Sequence, residues 1–157
     1  MDKPTLYIET SIVSYLASRP SRDPVSLRNQ QLTHAWWNTR RHDYVLFSSS
    51  LTALEAARGD PVMVRRRLAL LAGIPECPSP AGVMDLVQLL RVGIPLPEQA
   101  NADAYHIALA AANGFTHLLT WDRKHIANPR MLPRIKALLA SRRYSPPVFC
   151  TPDDLMR

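Results

Sequence analysis

The chain has 157 residues, of which 46% are hydrophobic and 20% are charged, a composition typical of one globular domain covering residues 1–157. A chain of this length buries roughly 70% of its unfolded surface, so it can build a core without disulfides. The formal net charge is +6, and 16 of the 19 basic residues are arginine, whose planar guanidinium binds phosphate through two oxygens. Nucleic acid is therefore a candidate partner, although an arginine-rich solvated surface has the same composition.

The sequence has no feature of a membrane span or an export signal. No apolar run approaches the ~20 residues that a membrane helix needs, and no basic segment followed by an apolar stretch opens the chain. The two cysteines, Cys77 and Cys150, have neither metal-ligand nor redox-motif spacing. We therefore predict a protein of the reducing cytoplasm that does not bind membranes.

Most of the predicted helices begin at a proline that follows a good N-cap residue. Amphipathic segments over residues 27–41, 62–71, 83–90 and 132–140 are typical of helices packed on a core. The proposed starts are Asp23-Pro24, Asp60-Pro61, Ser79-Pro80, Asn128-Pro129 and Thr151-Pro152. A further helix is predicted to begin near Pro97, with Glu98 in its first turn, and to end at Asn113-Gly114.

Short apolar segments rich in strand-forming residues alternate with these helices. They are Thr5–Ile8, Tyr44–Phe47, His117–Thr120 and Pro147–Cys150. Their hydrophobicity is continuous rather than alternating, which is typical of parallel strands covered on both faces. The order of strands and helices predicts an α/β domain with a central parallel sheet.

Four acidic residues remain once helix caps, first turns, connections and exposed positions account for the others: Glu9, Glu55, Asp103 and Asp122. The helix after Asp103 rises ~1.5 Å per residue, and the strand before Asp122 returns ~3.3 Å per residue over a similar distance. These two residues should therefore lie together. Glu9 ends its own strand, and Glu55 leans back toward the same edge from the helix after the second strand. Parallel strands share this edge, where ligands bind, so we expect the four carboxylates to converge.

Four carboxylates in one cleft require a counter-charge. Mg²⁺ or Mn²⁺ supplies it, because these ions take oxygen ligands and also bridge to phosphate. Such a site suits hydrolysis of a phosphodiester by an activated water. Each residue also has a purely structural interpretation, in which Glu9 bonds to the amides of the next turn, Glu55 pairs with Arg58, Asp103 interacts with its helix dipole, and Asp122 caps a turn.

The acidic segments resemble, in chain order, the four motifs of PIN domains, the ribonuclease fold of VapC toxins. The matching residues are Tyr7–Ser11, Leu54-Glu55, Ala102–Ala108 and Leu119–Asp122. The resemblance implies a three-layer α/β/α fold and a Mg²⁺- or Mn²⁺-dependent endoribonuclease. It also implies the toxin of a type II toxin-antitoxin pair, a homodimer neutralised by a small co-encoded antitoxin.

Carried over by position, Glu55, Asp103 and Asp122 match the family in residue type, and all four carboxylates become candidate catalytic and metal-binding residues. Glu9 is a departure, because the family usually has Asp there and the extra methylene moves the carboxylate. Thr10 or Ser11 occupies the place of a hydroxyl that commonly supports the metal site.

Basic and aromatic residues near these motifs are candidates for binding. Arg123 and Lys124 directly follow Asp122 and are predicted to contact phosphate. His106, three residues after Asp103, is a further candidate for orienting a phosphate, although a histidine hydrogen-bonded inside the helix layer would have the same spacing. Trp36 and Trp37 offer apolar contact area for a dimer.

Two other functions are consistent with parts of the sequence. A response-regulator receiver domain has a similar sheet, but Glu55 is a poor phospho-acceptor and the late lysine that contacts the phosphate is missing. A PIN module that binds RNA or protein without catalysis is the stronger alternative, with its site weakened by Glu9. Metal binding separates the two PIN alternatives, because four competent carboxylates bind Mn²⁺ and a scaffold need not.

Overall fold

A computed structural model of the chain describes residues 2–94, 97 and 100–157. The elements, in chain order, are β1 (Thr5–Ile8), α1 (Thr10–Ala17), α2 (Pro24–Thr39), a 3-10 helix (Arg41–Asp43), β2 (Val45–Phe47), α3 (Ser50–Ala56), α4 (Pro61–Leu71), α5 (Val83–Gly93), α6 (Asn101–Ala112), β3 (His117–Leu119), α7 (Leu132–Ser141), β4 (Val148–Cys150) and α8 (Pro152–Leu155). Each predicted strand is present, and the boundaries differ by at most one residue at either end.

The four strands form one parallel sheet in the order β2-β1-β3-β4. The chain leaves β1 in one direction to make β2, and then in the other direction to make β3 and β4. This reversal places a topological switch point at the carboxyl ends of β1 and β3, the place where open α/β sheets bind ligands. Glu9 directly follows β1, and Asp122 comes three residues after the end of β3.

Helices cover both faces of the sheet. The side chain of Tyr7 packs on one face with residues of α5, α6 and α7. Its neighbours Leu6 and Ile8 pack on the opposite face with residues of α1, α2 and α4. Because both faces are covered, every position of β1 after Thr5 is buried. The three-layer α/β/α arrangement is therefore confirmed, and it explains why the strand segments lack alternation.

Three of the predicted helix starts are confirmed by their caps. The side chains of Asp23, Asp60 and Thr151 accept hydrogen bonds from first-turn amides, and proline follows each of them. Thr151 and Asp154 form a complete capping box. These starts could be predicted from the sequence because an N-cap side chain accepts hydrogen bonds from amides only two or three residues away.

Two of the predicted starts are wrong. The helix expected from Ser79-Pro80 begins at Val83, after Gly82 at a φ of 97°. A Cβ on Gly82 would also lie 2.9 Å from the Tyr144 hydroxyl, so both the backbone and the packing favour glycine there. The helix expected from Asn128-Pro129 begins at Leu132, because Asn128 instead closes a separate turn by accepting the Arg130 amide.

The helix predicted near Pro97 is described from Asn101, and Glu98 lies outside the described residues. Asn113 and Gly114 follow its last residue, Ala112, and Gly114 has the positive φ of 69° expected at such an end. In the part of the chain that the structure describes, no helix has the length and apolar character required to cross a bilayer.

Candidate functional site

The four carboxylates selected from the sequence lie at the switch point, where they form two groups that each include a histidine. One potential ligand atom from each of Glu9, Glu55 and His106 lies within 4.8 Å of the other two. The same holds for Asp103, Asp122 and His125. The proximity of Asp103 and Asp122 agrees with the helix-and-strand distances expected from the sequence.

Glu9 caps α1 and also contacts the neighbouring strand connection. Its Oε1 accepts from the Ser11 amide at 3.1 Å, from the Ser11 hydroxyl, and from the Thr120 hydroxyl at 2.7 Å. The residue is 7% exposed. The purely structural interpretation of Glu9 is thus present in the structure, but it uses only one of the two carboxylate oxygens.

Glu55 lies near the end of α3 and is held by two other elements. Its Oε1 accepts from the Thr10 hydroxyl and from His106 Nε2, each at 2.6 Å. Burial acts to raise the pKa of Glu55, but the hydrogen bonds from His106 and Thr10 act in the opposite direction, and the pKa lies below its ordinary value. No ion pair with Arg58 is formed among the described residues.

Asp103 lies in the first turn of α6 and is partly buried. Its Oδ2 is 3.1 Å from His125 Nδ1. Burial, followed by the negative charge of Asp122, raises the pKa of Asp103 to about 6, and the charge of His125 opposes this rise. Burial is thus the main cost of ionising Asp103, and the negative charge of Asp122 adds to it.

Asp122 caps the turn that follows β3. Its Oδ1 accepts from the amides of Lys124 at 3.0 Å and His125 at 2.9 Å, and its own amide donates to the Thr120 hydroxyl at 2.9 Å. The Thr120 hydroxyl in turn donates to Glu9, so one threonine connects the loops after β1 and β3. The structural interpretation of Asp122 as a cap is therefore also present.

All four carboxylates share one pattern: each is hydrogen-bonded by the protein through one oxygen. Within the described residues, no hydrogen bond is formed to the second oxygen, which is Oε2 of Glu9 and Glu55, Oδ1 of Asp103 and Oδ2 of Asp122. Oriented carboxylates with a free oxygen are the donors that a hard divalent cation takes. The residues present therefore fit a Mg²⁺ or Mn²⁺ ion.

His125 was not selected from the sequence, although it belongs to the site. Its Nδ1 lies 3.1 Å from Asp103 Oδ2 and 4.0 Å from Asp122 Oδ2. The signal that could have found it is its spacing of three residues from Asp122, since a capped turn brings these two side chains together.

His106 does not occupy the position expected of a phosphate contact. The side chain is fully buried, and both ring nitrogens have partners within the protein. Arg123 and Lys124 do lie at the exposed rim, as a phosphate contact requires. The Arg123 guanidinium lies 5.5 Å from the centre of the Trp121 ring.

Thr10 and Ser11, the candidate supporting hydroxyls, hold different carboxylates. Thr10 donates to Glu55, whereas Ser11 donates to Glu9 and accepts the Trp121 amide at 2.8 Å. The Thr10 bond connects α1 with α3, whereas Ser11 orients Glu9 within the cap of α1 and connects that cap to the loop after β3.

The three-layer α/β/α fold has a counterpart among solved structures. Among solved structures, that of VapC20 from Mycobacterium tuberculosis, described as a sarcin-ricin loop cleaving toxin, is similar to this chain. The TM-score is 0.55, and the match covers 80% of this chain and 95% of that one at 15% sequence identity. No family model and no curated protein matches the sequence. The likeness shows a PIN-like fold.

Proposed function

We propose that the protein is a Mg²⁺- or Mn²⁺-dependent endoribonuclease of the PIN type, with Glu9, Glu55, Asp103 and Asp122 as its catalytic metal-binding residues. The observation that carries this proposal is the pattern of the four carboxylates at the switch point: each is oriented through one oxygen, and the described residues form no hydrogen bond to the other. The fold likeness to a VapC toxin supports the same chemistry.

A bound metal ion would lower the pKa of an attacking water and would place a positive charge beside the phosphodiester. The protein's own residues orient the donors: Ser11 and Thr120 hold Glu9, while Thr10 and His106 hold Glu55. His125 holds Asp103 through its Nδ1, 3.1 Å from Asp103 Oδ2.

The proposal is tested by incubating purified protein with single-stranded and stem-loop RNA in Mg²⁺, Mn²⁺ or EDTA. We expect cleavage only with metal, and EDTA-resistant cleavage would contradict the proposal. The alternative function, a PIN module that binds RNA or protein without catalysis, is favoured if calorimetry detects no Mn²⁺ binding.

A cationic patch beside Asp122 suits an RNA backbone. Arg28, Arg123 and Arg157 come from three parts of the chain, and each has its Nη2 within 3.8 Å of a carboxylate oxygen of Asp153. Three guanidiniums around one carboxylate leave two positive charges in excess. All three side chains are at least half exposed, so their free donors are available to phosphate oxygens.

We predict that Arg123→Gln weakens RNA binding ~3- to 10-fold at low salt. The slope of the logarithm of the binding constant against the logarithm of the salt concentration should become shallower by about one, the contribution of one phosphate contact. Binding is measured by fluorescence anisotropy in EDTA, so that the RNA stays intact. Arg142→Gln, an exposed arginine just after α7 and near the start of β4, is the matched control and should bind like the parent. Equal losses in both variants would show that only overall charge matters.

Metal binding should stabilise the fold, because a ligand that binds only the native state adds RT ln(1 + [L]/Kd) to the free energy of unfolding. At a free Mn²⁺ concentration about 100 times Kd this amounts to ~2.7 kcal/mol, or about 5–10 °C in Tm for a chain of this size. Asp122→Asn should raise the metal-free Tm, because the charge of Asp122 opposes ionisation of Asp103. It should also reduce the Mn²⁺ response, and a response equal to the parent's would remove Asp122 from the site.

A homodimer and a small antitoxin partner stay predictions of the resemblance, and a cytoplasmic location stays a prediction from the sequence. The apolar contact area expected from Trp36 and Trp37 is halved, because Trp36 is fully buried in the core. Trp37 is half-buried beneath the Arg41 guanidinium, 4.4 Å from the ring centre. A dimer formed through this part of α2 would therefore use Trp37 and Arg41.

A further inference from the structure

A buried chain of hydrogen bonds leads from the core to one of the site carboxylates. The His106 ring on α6 is fully buried, and its Nε2 lies 2.6 Å from Glu55 Oε1. Its Nδ1 lies 2.6 Å from the Tyr7 hydroxyl on β1. Tyr7 is also fully buried, and its hydroxyl lies 2.8 Å from the hydroxyl of Ser49, the N-cap of α3.

The chemistry of the groups sets the direction of this chain. An ionised carboxylate only accepts, so His106 Nε2 carries a proton and donates it to Glu55. One ring proton then satisfies every contact, because Nδ1 accepts from the Tyr7 hydroxyl and the Tyr7 oxygen accepts from Ser49. The single Ser49 hydroxyl proton goes to the nearer acceptor, the Tyr7 oxygen at 2.8 Å, rather than to Thr52 Oγ1 at 3.3 Å, while the Ser49 oxygen accepts the Thr52 amide at 3.0 Å.

We propose that His106 is a positioning residue: the buried chain from Ser49 through Tyr7 to His106 Nε2 orients the Glu55 carboxylate for metal binding. This inference rests on the metal-dependent nuclease proposed above. His106 itself contacts neither RNA nor metal in this role.

The arrangement around Glu55 explains why such a device is needed. Glu55 lies near the last turn of a seven-residue helix, and its side chain has three rotatable bonds. The bonds from His106 and Thr10 reach the same oxygen, so the carboxylate is held from α6 and from α1 at once. Hydrogen-bond partners of metal ligands act in this way elsewhere, and their loss weakens metal binding by ~10- to 100-fold.

Two substitutions at position 106 separate positioning from simple core packing. The side-chain amide of His106→Gln reaches roughly as far as Nε2 and can donate to Glu55. The amide of His106→Asn reaches only as far as Nδ1, so it stays near Tyr7 and leaves Glu55 without this donor. Both replace a buried ring by a smaller amide, so both should lower the Tm.

The readout is the Kd of Mn²⁺ alone, measured by calorimetry on metal-free protein. We expect His106→Asn to bind Mn²⁺ ~10- to 100-fold more weakly than the parent, and His106→Gln to recover most of that loss. His117→Asn on β3, at the opposite end of the sheet, controls for the loss of a histidine. Equal Mn²⁺ affinity in the Asn and Gln variants would overturn the positioning role, whereas a parent that binds no Mn²⁺ would overturn the nuclease proposal as well.

A second measurement does not depend on a folded variant at position 106. Long-range ¹H–¹⁵N spectra of the metal-free parent report which ring nitrogen of His106 carries the proton. We expect the proton on Nε2, and Glu55→Gln should shift this resonance more than those of the other histidines. A proton on Nδ1 alone would reverse the chain and overturn the proposal.

Discussion

Asp103→Asn is expected to abolish Mn²⁺-dependent RNA cleavage while leaving the fold intact. The substitution keeps the shape of the side chain and removes the charge that contacts His125 and is repelled by Asp122. The loss in rate should exceed ~10- to 100-fold, which is the typical loss when only a hydrogen-bond partner of a metal ligand is removed. Cleavage of a labelled RNA in Mn²⁺ measures it, and full activity in the variant would remove Asp103 from the mechanism.

The same substitution should stabilise the metal-free protein above pH 6. The pKa of Asp103 rises from 3.8 to about 6 in the folded chain, so the folded state binds this proton more tightly than the unfolded state does. The ionised carboxylate therefore destabilises the fold, a cost absent below about pH 4 and complete above about pH 6. Allowing for partial exposure, this cost is about 1 kcal/mol, or about 3 °C in Tm.

Melting curves of parent and variant in EDTA, taken from pH 4 to pH 8, test the sign of this effect. The two proteins should melt together at pH 4 and separate as the pH rises, with the variant more stable. Mn²⁺ should reverse the order at pH 7.5, because it stabilises only the parent strongly. A variant less stable than the parent in EDTA at pH 7.5 would contradict the assigned cost of ionising Asp103.

Glu9→Gln should slow cleavage by ~100-fold and weaken Mn²⁺ binding by at least ~10-fold, because it removes one negative ligand at nearly constant shape. Glu9→Asp keeps the charge but shortens the side chain by one methylene, which moves the carboxylate away from the Thr120 hydroxyl. We expect Glu9→Asp to lose part of the activity. Glu76→Gln, an exposed glutamate in the connection after α4, is the charge-matched control and should behave like the parent.

The comparison at Glu9 decides whether the site is adapted to glutamate or has decayed. Glu9 spans from its own helix cap to Thr120, a contact that fits the longer side chain. Adaptation therefore predicts the order parent, Glu9→Asp, Glu9→Gln in cleavage rate. Faster cleavage by Glu9→Asp would favour decay and the scaffold alternative, and parental activity of Glu9→Gln would exclude Glu9 from the reaction.

The strands and three of the helix starts could be predicted because the interactions that define them are local. Asp23, Asp60 and Thr151 cap helices through amides two or three residues away. The predictions failed at Pro80 and Pro129, where the proline belongs to a turn that precedes the helix. In the first case Gly82 precedes the helix at a positive φ, and a Cβ there would lie 2.9 Å from the hydroxyl of Tyr144, a residue 62 positions away that no local pattern includes.

The sequence by itself determined the class of fold and the identity of four acidic residues, because strand order and helix rise are enough to bring strand ends to one edge. Only the tertiary structure decided how those residues are held. Thr120 and Glu9 are 111 residues apart, and Tyr7 and His106 are 99 apart. Contacts of this kind depend on how buried side chains pack between layers. The sequence pattern therefore predicted a phosphate contact for His106, whereas the packed core buries its ring. It also omitted His125, which the capped turn brings next to Asp103.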